Sequence, residues 1–215
     1  MTADKEVSAK QTGFGLAPVI GLNYKLNDNF NIALRYEHIA KITLTNETSL
    51  DDVGMFPDGE EFSSDMPANL SVGVGFKPIE KLNLSAGYHL YFDKNANYGK
   101  KLEGNYVDNS EVMDKNFWEA AFGLEYELTD KILLSAGYLV TQTGVKDNYH
   151  SDLSHSLNSS SIGLGGRYMV TENIGLNLGF MKTMYTTYTK VFGTTYEETY
   201  DRANTVAAIG VDFKF

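Results

Sequence analysis

The chain has 215 residues, enough for one domain with a sizeable core, and its net charge of −10 argues against a nucleic-acid partner. Cysteine is absent, which excludes disulfides and thiolate metal sites. Hydrophobic residues make up 42% and mean hydropathy is −0.27, and no apolar run of about 18 residues exists to make a transmembrane helix. A membrane-spanning barrel stays open, because a barrel strand needs only about 9–11 residues with every second one apolar. The 14 Tyr and 12 Phe suit strands and interfacial aromatic girdles. The opening MTADKEVSAKQ lacks the apolar stretch of a signal peptide.

Taken in order, residues 12–26 alternate, with Ile20, Leu22, Tyr24 and Leu26 on one face and Val19, Gly21, Asn23 and Lys25 on the other. Asn27-Asp28-Asn29 turns the chain. Residues 30–44 continue the alternation through Phe30, Ile32, Leu34, Tyr36, His38, Ala40, Ile42 and Leu44. At about 3.3 Å per residue this predicts one strand about 50 Å long, against about 5–6 residues for a common soluble strand. Residues 46–67 read as a long polar loop, and residues 1–11 as part of another loop.

Two-stranded units follow. Residues 69–79 and 82–92 flank Glu80-Lys81, residues 118–128 and 132–140 flank Thr129-Asp130, and residues 162–170 pair with 174–184. Residues 93–115, 143–160 and 186–203 read as loops. The last strand, VAAIGVDFKF, puts Val211, Phe213 and Phe215 on one face and Gly210, Asp212 and Lys214 on the other. Its terminal Phe resembles the signal read by the bacterial barrel-assembly machinery.

The short turns repeat as a unit: GLNYKLNDNFNIALRY, GVGFKPIEKLNLSAGY, GLEYELTDKILLSAGY and GGRYMVTENIGLNLGF. Short turns at one end and long polar loops at the other are the pattern of an antiparallel transmembrane β-barrel. Tyr24, Phe76, Tyr126 and Tyr168 would form the girdle at the turn end. A propeller blade would need four short strands per period. A lipocalin-like soluble barrel is the other reading, since period two alone does not say which face is inside. The strand count is nine. Bacterial single-chain barrels have even counts and lipid forbids open edges, so the odd count predicts the C-terminal part of a longer barrel, unless one strand is miscounted.

Two stretches, DMPANLSVGVGFKPIEKLNLSAGYHLYF (65–92) and QTGFGLAPVIGLNYKLNDNFNIALRYEH (11–38), together with the terminal GVDFKF, resemble the long-chain fatty acid and hydrophobic-compound transporter family of FadL/TodX type. The likeness runs over about residues 11–215. It implies a fourteen-stranded barrel with an N-terminal hatch that passes hydrophobic ligands inward by a lateral route. On that reading five strands and the hatch lie upstream of this chain.

Several side chains are candidates for chemistry. Arg35, Glu37 and Lys41 fall on the inward face of one predicted strand, and Arg167 on that of another; an arginine there suits a ligand carboxylate, while an interior charge network is the plainer reading. Lys77, Glu119, Glu125 and Glu127 join that network. Met55, Phe56, Phe62 and Met66 in the long loop would form an outward greasy capture site, or pack on one another. The acidic residues Asp51, Asp52, Asp58, Glu60, Glu61 and Asp65 lack the spacing of a calcium loop. His38 falls outward and His89 inward, both in structural roles. Ser154-His155-Ser156 sits in a loop, and no catalytic triad order stands out. No enzyme activity, metal or cofactor is expected. The expected function is outer-membrane transport of long-chain fatty acids or other hydrophobic small molecules. The alternative is a structural or adhesion-type barrel. The partners are membrane lipid, lipopolysaccharide, the passenger molecule and the assembly machinery.

Overall fold

The computed structural model describes residues 4–151, 154–192 and 196–214. Its centre is one antiparallel sheet of nine strands. In chain order these are β2 (Val19–Asn27), β3 (Phe30–Glu37), β6 (Asn69–Ile79), β7 (Leu82–Tyr91), β10 (Phe117–Thr129), β11 (Ile132–Gln142), β12 (Ser159–Met169), β13 (Ile174–Tyr185) and β16 (Ala203–Phe213). Each pairs with its neighbours in sequence, and β2 and β16 form the two edges of the sheet. This is the predicted nine-strand meander.

The short turns share a device. Register shifts fall at Lys25/Asn27, Phe76/Ile79 and Glu127/Thr129, just before three of them. Such a bulge adds a residue and tightens the local twist. At three of the four short turns a polar side chain accepts backbone N–H groups. Asn27 Oδ1 accepts the Asn29 N–H at 2.8 Å, Thr129 Oγ1 accepts those of Lys131 and Ile132, and Thr171 Oγ1 accepts that of Asn173.

The two faces of the sheet differ. Gly, Ser, Ala and charged residues line a concavity, so that face is inside the curve. The opposite, convex face carries Leu22, Ile32, Leu34, Phe122, Leu134, Leu164, Leu178 and Ile209, all exposed. The buried apolar residues among those described are Ala40, Ala68, Ala96, Val112, Met113, Leu157 and Tyr200. None lies in the nine strands. A convex apolar face with no covering layer is a lipid-facing wall, which rules out the lipocalin-like arrangement. Tyr24, Phe76, Tyr126 and Tyr168 ring its turn end, with Phe30 edge-on to Phe76 at 6.3 Å. At the other end Tyr88 stacks on Trp118 at 5.9 Å. Trp118 and Tyr126 lie eight residues apart on β10. At about 3.3 Å per residue and a tilt of about 40°, the band between the girdles is about 20 Å tall.

The long first hairpin is not continuous. The strand predicted over residues 12–26 is β1 (Val7–Thr12) and β2, with a break at 13–18; that predicted over 30–44 is β3 and β4 (Thr43–Asp51), with a break at 38–42. Gly13 and Gly15 bring the backbone so near the facing segment that a Cβ on Gly13 would lie 2.5 Å from Thr43 O, and one on Gly15 2.5 Å from Ile42 Cγ1. Pro18 has no N–H to offer the ladder, and its carbonyl accepts the His38 N–H at 2.9 Å. Ala40 exchanges hydrogen bonds with Met66 instead, both at 3.0 Å. Beyond the break β1, β4 and β5 (Glu61–Ser63) form a separate three-stranded sheet. Val7–Gln11 and, within 46–67, residues 46–51 and 61–63 are therefore strand, where loop was expected.

The other loops carry elements of their own. They carry the hairpin β8 (Lys101–Leu102)–β9 (Asn105–Tyr106), the one-turn helix α1 (Asn109–Val112) and the hairpin β14 (Tyr188–Phe192)–β15 (Tyr196–Tyr200). Lysines knit them by donating to carbonyls of neighbouring loops: Lys100 Nζ to Tyr149 O at 2.8 Å, Lys146 Nζ to Ser110 O at 3.0 Å and Lys190 Nζ to His150 O at 3.3 Å.

Candidate functional site

Antiparallel register places the concave side chains in rows across the sheet. One row near the loops reads Arg35, Ser71, His89, Glu119, Thr141, Ser159, Tyr185. It is a polar belt whose members bond to one another or to neighbouring rows: Arg35 Nη2 to Glu37 Oε2 at 2.6 Å, Ser71 Oγ with His89 Nδ1 at 3.0 Å, and Thr141 Oγ1 to Glu119 Oε1 at 2.9 Å. In the next row the Ser161 and Thr183 hydroxyls meet at 2.8 Å and are both buried.

Against the β10–β13 part of this belt lies a pocket of about 370 Å³. Phe117, Leu139, Met181 and Tyr185 give it apolar walls, and Glu119, Thr141, Ser161, Thr183 and Asn204 give it polar atoms. The loop before β12 turns over it with His155, Ser156 and the buried Leu157. Asn158 anchors that loop, its Oδ1 accepting the Thr143 N–H at 2.8 Å and its carbonyl the Thr186 N–H at 2.8 Å. Arg202 enters from the opposite loop, its guanidinium over the Tyr185 ring at 5.1 Å. The pocket therefore offers apolar contact around a few fixed hydrogen-bonding groups, the usual make-up of a small-molecule site.

Below it, toward the turns, a trough of about 1100 Å³ runs along the concave face. Its floor is Gly75, Gly123, Gly137, Gly163, Gly165 and Gly179 with Ser85, Ser135 and Ala208. Glu125, Glu127 and Arg167 stand at its turn end. Among the described residues Arg167 has no ion-pair or hydrogen-bond partner.

The sequence-predicted residues do not converge on one place. Arg35 and Glu37 pair with each other on β3. Lys41 lies beyond the end of β3, in the break, rather than on the same strand. Its Nζ bonds Asp65 Oδ2 at 2.7 Å, and its side chain lines a niche of about 240 Å³ with Tyr36, His38, Ile39, Ala68, Phe92 and Asn95. Arg167 alone of the four lines the trough. Phe62 stacks on Tyr106 at 5.4 Å, Phe56 donates its N–H to Asp51 Oδ2 at 2.6 Å, and Met55 and Met66 are exposed. Val211 and Phe213 face outward on β16; Phe215 lies outside the described residues. His155, Leu157, Met181, Tyr185 and Arg202 were not anticipated. Met181 carried a signal, as a large apolar residue on the otherwise small or polar face of β13. The loop residues carried none. Among the described residues no cluster of His, Asp and Glu has metal-binding geometry.

No protein-family model and no curated protein sequence matches the chain. Solved structures do. A Pseudomonas aeruginosa FadL homologue aligns with TM-score 0.60 and 15% identity over 90% of this chain. The Pseudomonas putida toluene transporter TodX aligns with TM-score 0.52 and 17% identity over 92%. A deltaS2 mutant of the TodX monoaromatic hydrocarbon channel aligns with TM-score 0.57 and 17% identity over 94%. The chain spans about half the length of each, 48–50%. The matches show a shared fold: this sheet is built like part of the β-barrel wall of those proteins.

Proposed function

We propose that this chain forms part of the wall of a bacterial outer-membrane β-barrel that passes hydrophobic small molecules along its concave face. The observation that carries the reading is the series of two cavities on that face, an apolar-walled pocket under the loops and a glycine-floored trough toward the turns. TodX, a protein of the same fold described both as a monoaromatic hydrocarbon channel and as a toluene transporter, supports it. The edges β2 and β16 are closed by further strands of the full-length protein, because lipid cannot satisfy open ladder groups. Lipid and lipopolysaccharide surround the wall, and the assembly machinery reads Val211 and Phe213 on β16.

Within this reading, long-chain carboxylates are a passenger class that Arg167 suits, since its guanidinium matches a carboxylate in bidentate fashion. Neutral hydrocarbons use the same path without that contact. The test is uptake of labelled oleate and labelled toluene by a host lacking its own hydrophobe channels, with and without the full-length protein. Faster uptake of either supports transport, and Arg167→Ala should slow oleate alone. Equal uptake with and without the protein would leave a structural or adhesion-type barrel as the better account.

A further inference from the structure

Met181 belongs to the linings of both cavities. Its row across the concave face reads Gly123, Gly137, Gly163, Met181, Val206. Three glycines in succession leave the space above the floor open on one side of it. Toward the loops the next row holds the buried Ser161–Thr183 hydroxyl pair, which is fixed. Toward the turns the next row holds Gly165 and Gly179, which have no side chain. Met181 itself is 38% exposed. A single unbranched apolar side chain thus stands between a rigid rim and a bare floor, at the junction of pocket and trough.

Methionine has three rotatable side-chain bonds and a polarizable thioether that packs against rings and alkyl chains alike. From this placement we infer that Met181 is a size-selective gate and the residue that determines how broad a hydrophobic passenger can be. Laid across Gly163 and Gly137 it closes the floor between the cavities. Swung toward Val206 it admits a flat ring or a slender chain, and branched or bulky hydrocarbons are held back. The inference rests on the transport reading and adds to it the residue that sets passenger width.

The test uses the full-length protein in a channel-deficient host, with toluene as the slender probe and 1,3,5-triisopropylbenzene as the bulky one. The readout is the ratio of bulky to slender uptake, because a merely structural defect lowers both rates and leaves their ratio alone. Met181→Ala should raise the ratio about tenfold, Met181→Trp should lower it about tenfold, and Met181→Leu should stay within about twofold of wild type. Heat-modifiable migration on a gel verifies that each variant is folded. If the Trp variant does not fold, the Ala variant decides alone. Normal toluene uptake by the wild type with an unchanged ratio in the Ala variant overturns the gate and leaves transport standing. Absence of wild-type toluene uptake overturns transport and the gate together.

Discussion

The carboxylate of Asp65 is nearly sealed from solvent, its side chain 2% exposed, and the Lys41 ammonium lies 2.7 Å from its Oδ2. The same carboxylate accepts the Ile42 N–H at 3.1 Å and the Asn97 N–H at 3.0 Å. One side chain thereby ties the broken wall at 38–42 to the loop after β7. Replacing it by Asn should cost about 3 kcal/mol of local stability, because the amide cannot pair with Lys41 and presents N–H groups where acceptors are needed. Amide exchange at Ile42 and Asn97 should accelerate while β10 keeps its protection.

That carboxylate also sets a pH limit. Burial raises the Asp65 pKa, but Lys41 and the two backbone N–H groups outweigh it and hold it below the usual carboxylate range. A lowered pKa contributes stability that is complete above the unfolded value of about 4 and fades as pH falls through the lower folded value. Protection at Ile42 should therefore be flat from about pH 8 to 5 and drop only below about 4, and Asp65→Asn should abolish that drop.

His150 has the opposite sensitivity. Its ring is buried and stacks on Tyr188 at 4.2 Å, and among the described residues Nδ1 has no hydrogen-bond partner. Burial lowers its pKa; His155, Lys190 and Lys100 push the same way and Asp147 opposes them. The folded loops thus resist a proton that the unfolded chain accepts. The cost begins as pH falls below the unfolded histidine value of about 6.5 and grows until the folded value is passed. Exchange protection of the β14–β15 hairpin, relative to β10, should fall between about pH 7 and 5. His150→Phe, which keeps the stacking, should flatten that response.

Gly144 tests the loop packing sterically. A Cβ there would overlap Lys115 O, and the Gly144 carbonyl accepts the Asp114 N–H at 2.7 Å. Gly144→Ala must push the two loops apart, at a cost of more than about 2 kcal/mol. Protease cleavage within 109–116 should rise sharply, with the nine-stranded sheet intact.

Gly179 tests the trough. Among the described residues no atom lies within 4 Å of a Cβ built on it, and its place on the floor faces open space. Gly179→Leu should fold as wild type does and place an isobutyl group in the path, cutting toluene uptake at least about fivefold. Wild-type uptake in this variant would show that passengers do not follow the trough.

The sheet was legible because two constraints coincide in it. Alternation assigns the faces of β6, β7, β10, β11, β12 and β13, and polar turn residues such as Asn27 and Thr129 mark their ends. Which face is inside needed curvature, which no residue pair encodes. The break in the first hairpin was illegible for a different reason: Ala40 and Ile42 carry the alternation straight through it, while the interruption comes from Gly13 and Gly15 meeting Ile42 and Thr43 across the hairpin and from Pro18 facing His38. Of the pocket, the strand residue Glu119 was visible as an inward position. Leu157 and Arg202 reach it from loops whose paths depend on carbonyl contacts with lysines about 35 to 50 residues away.

The seven buried apolar residues among those described all lie above the sheet, so the molecule answers to two solvents. The loop end has a small core of its own and is held by water-driven burial; the sheet has none and is held by the lipid around its convex face. Such a protein has no single melting point. Urea should loosen the knitted loops while the wall stays paired, and a poor choice of detergent should splay the wall while the loops keep their contacts.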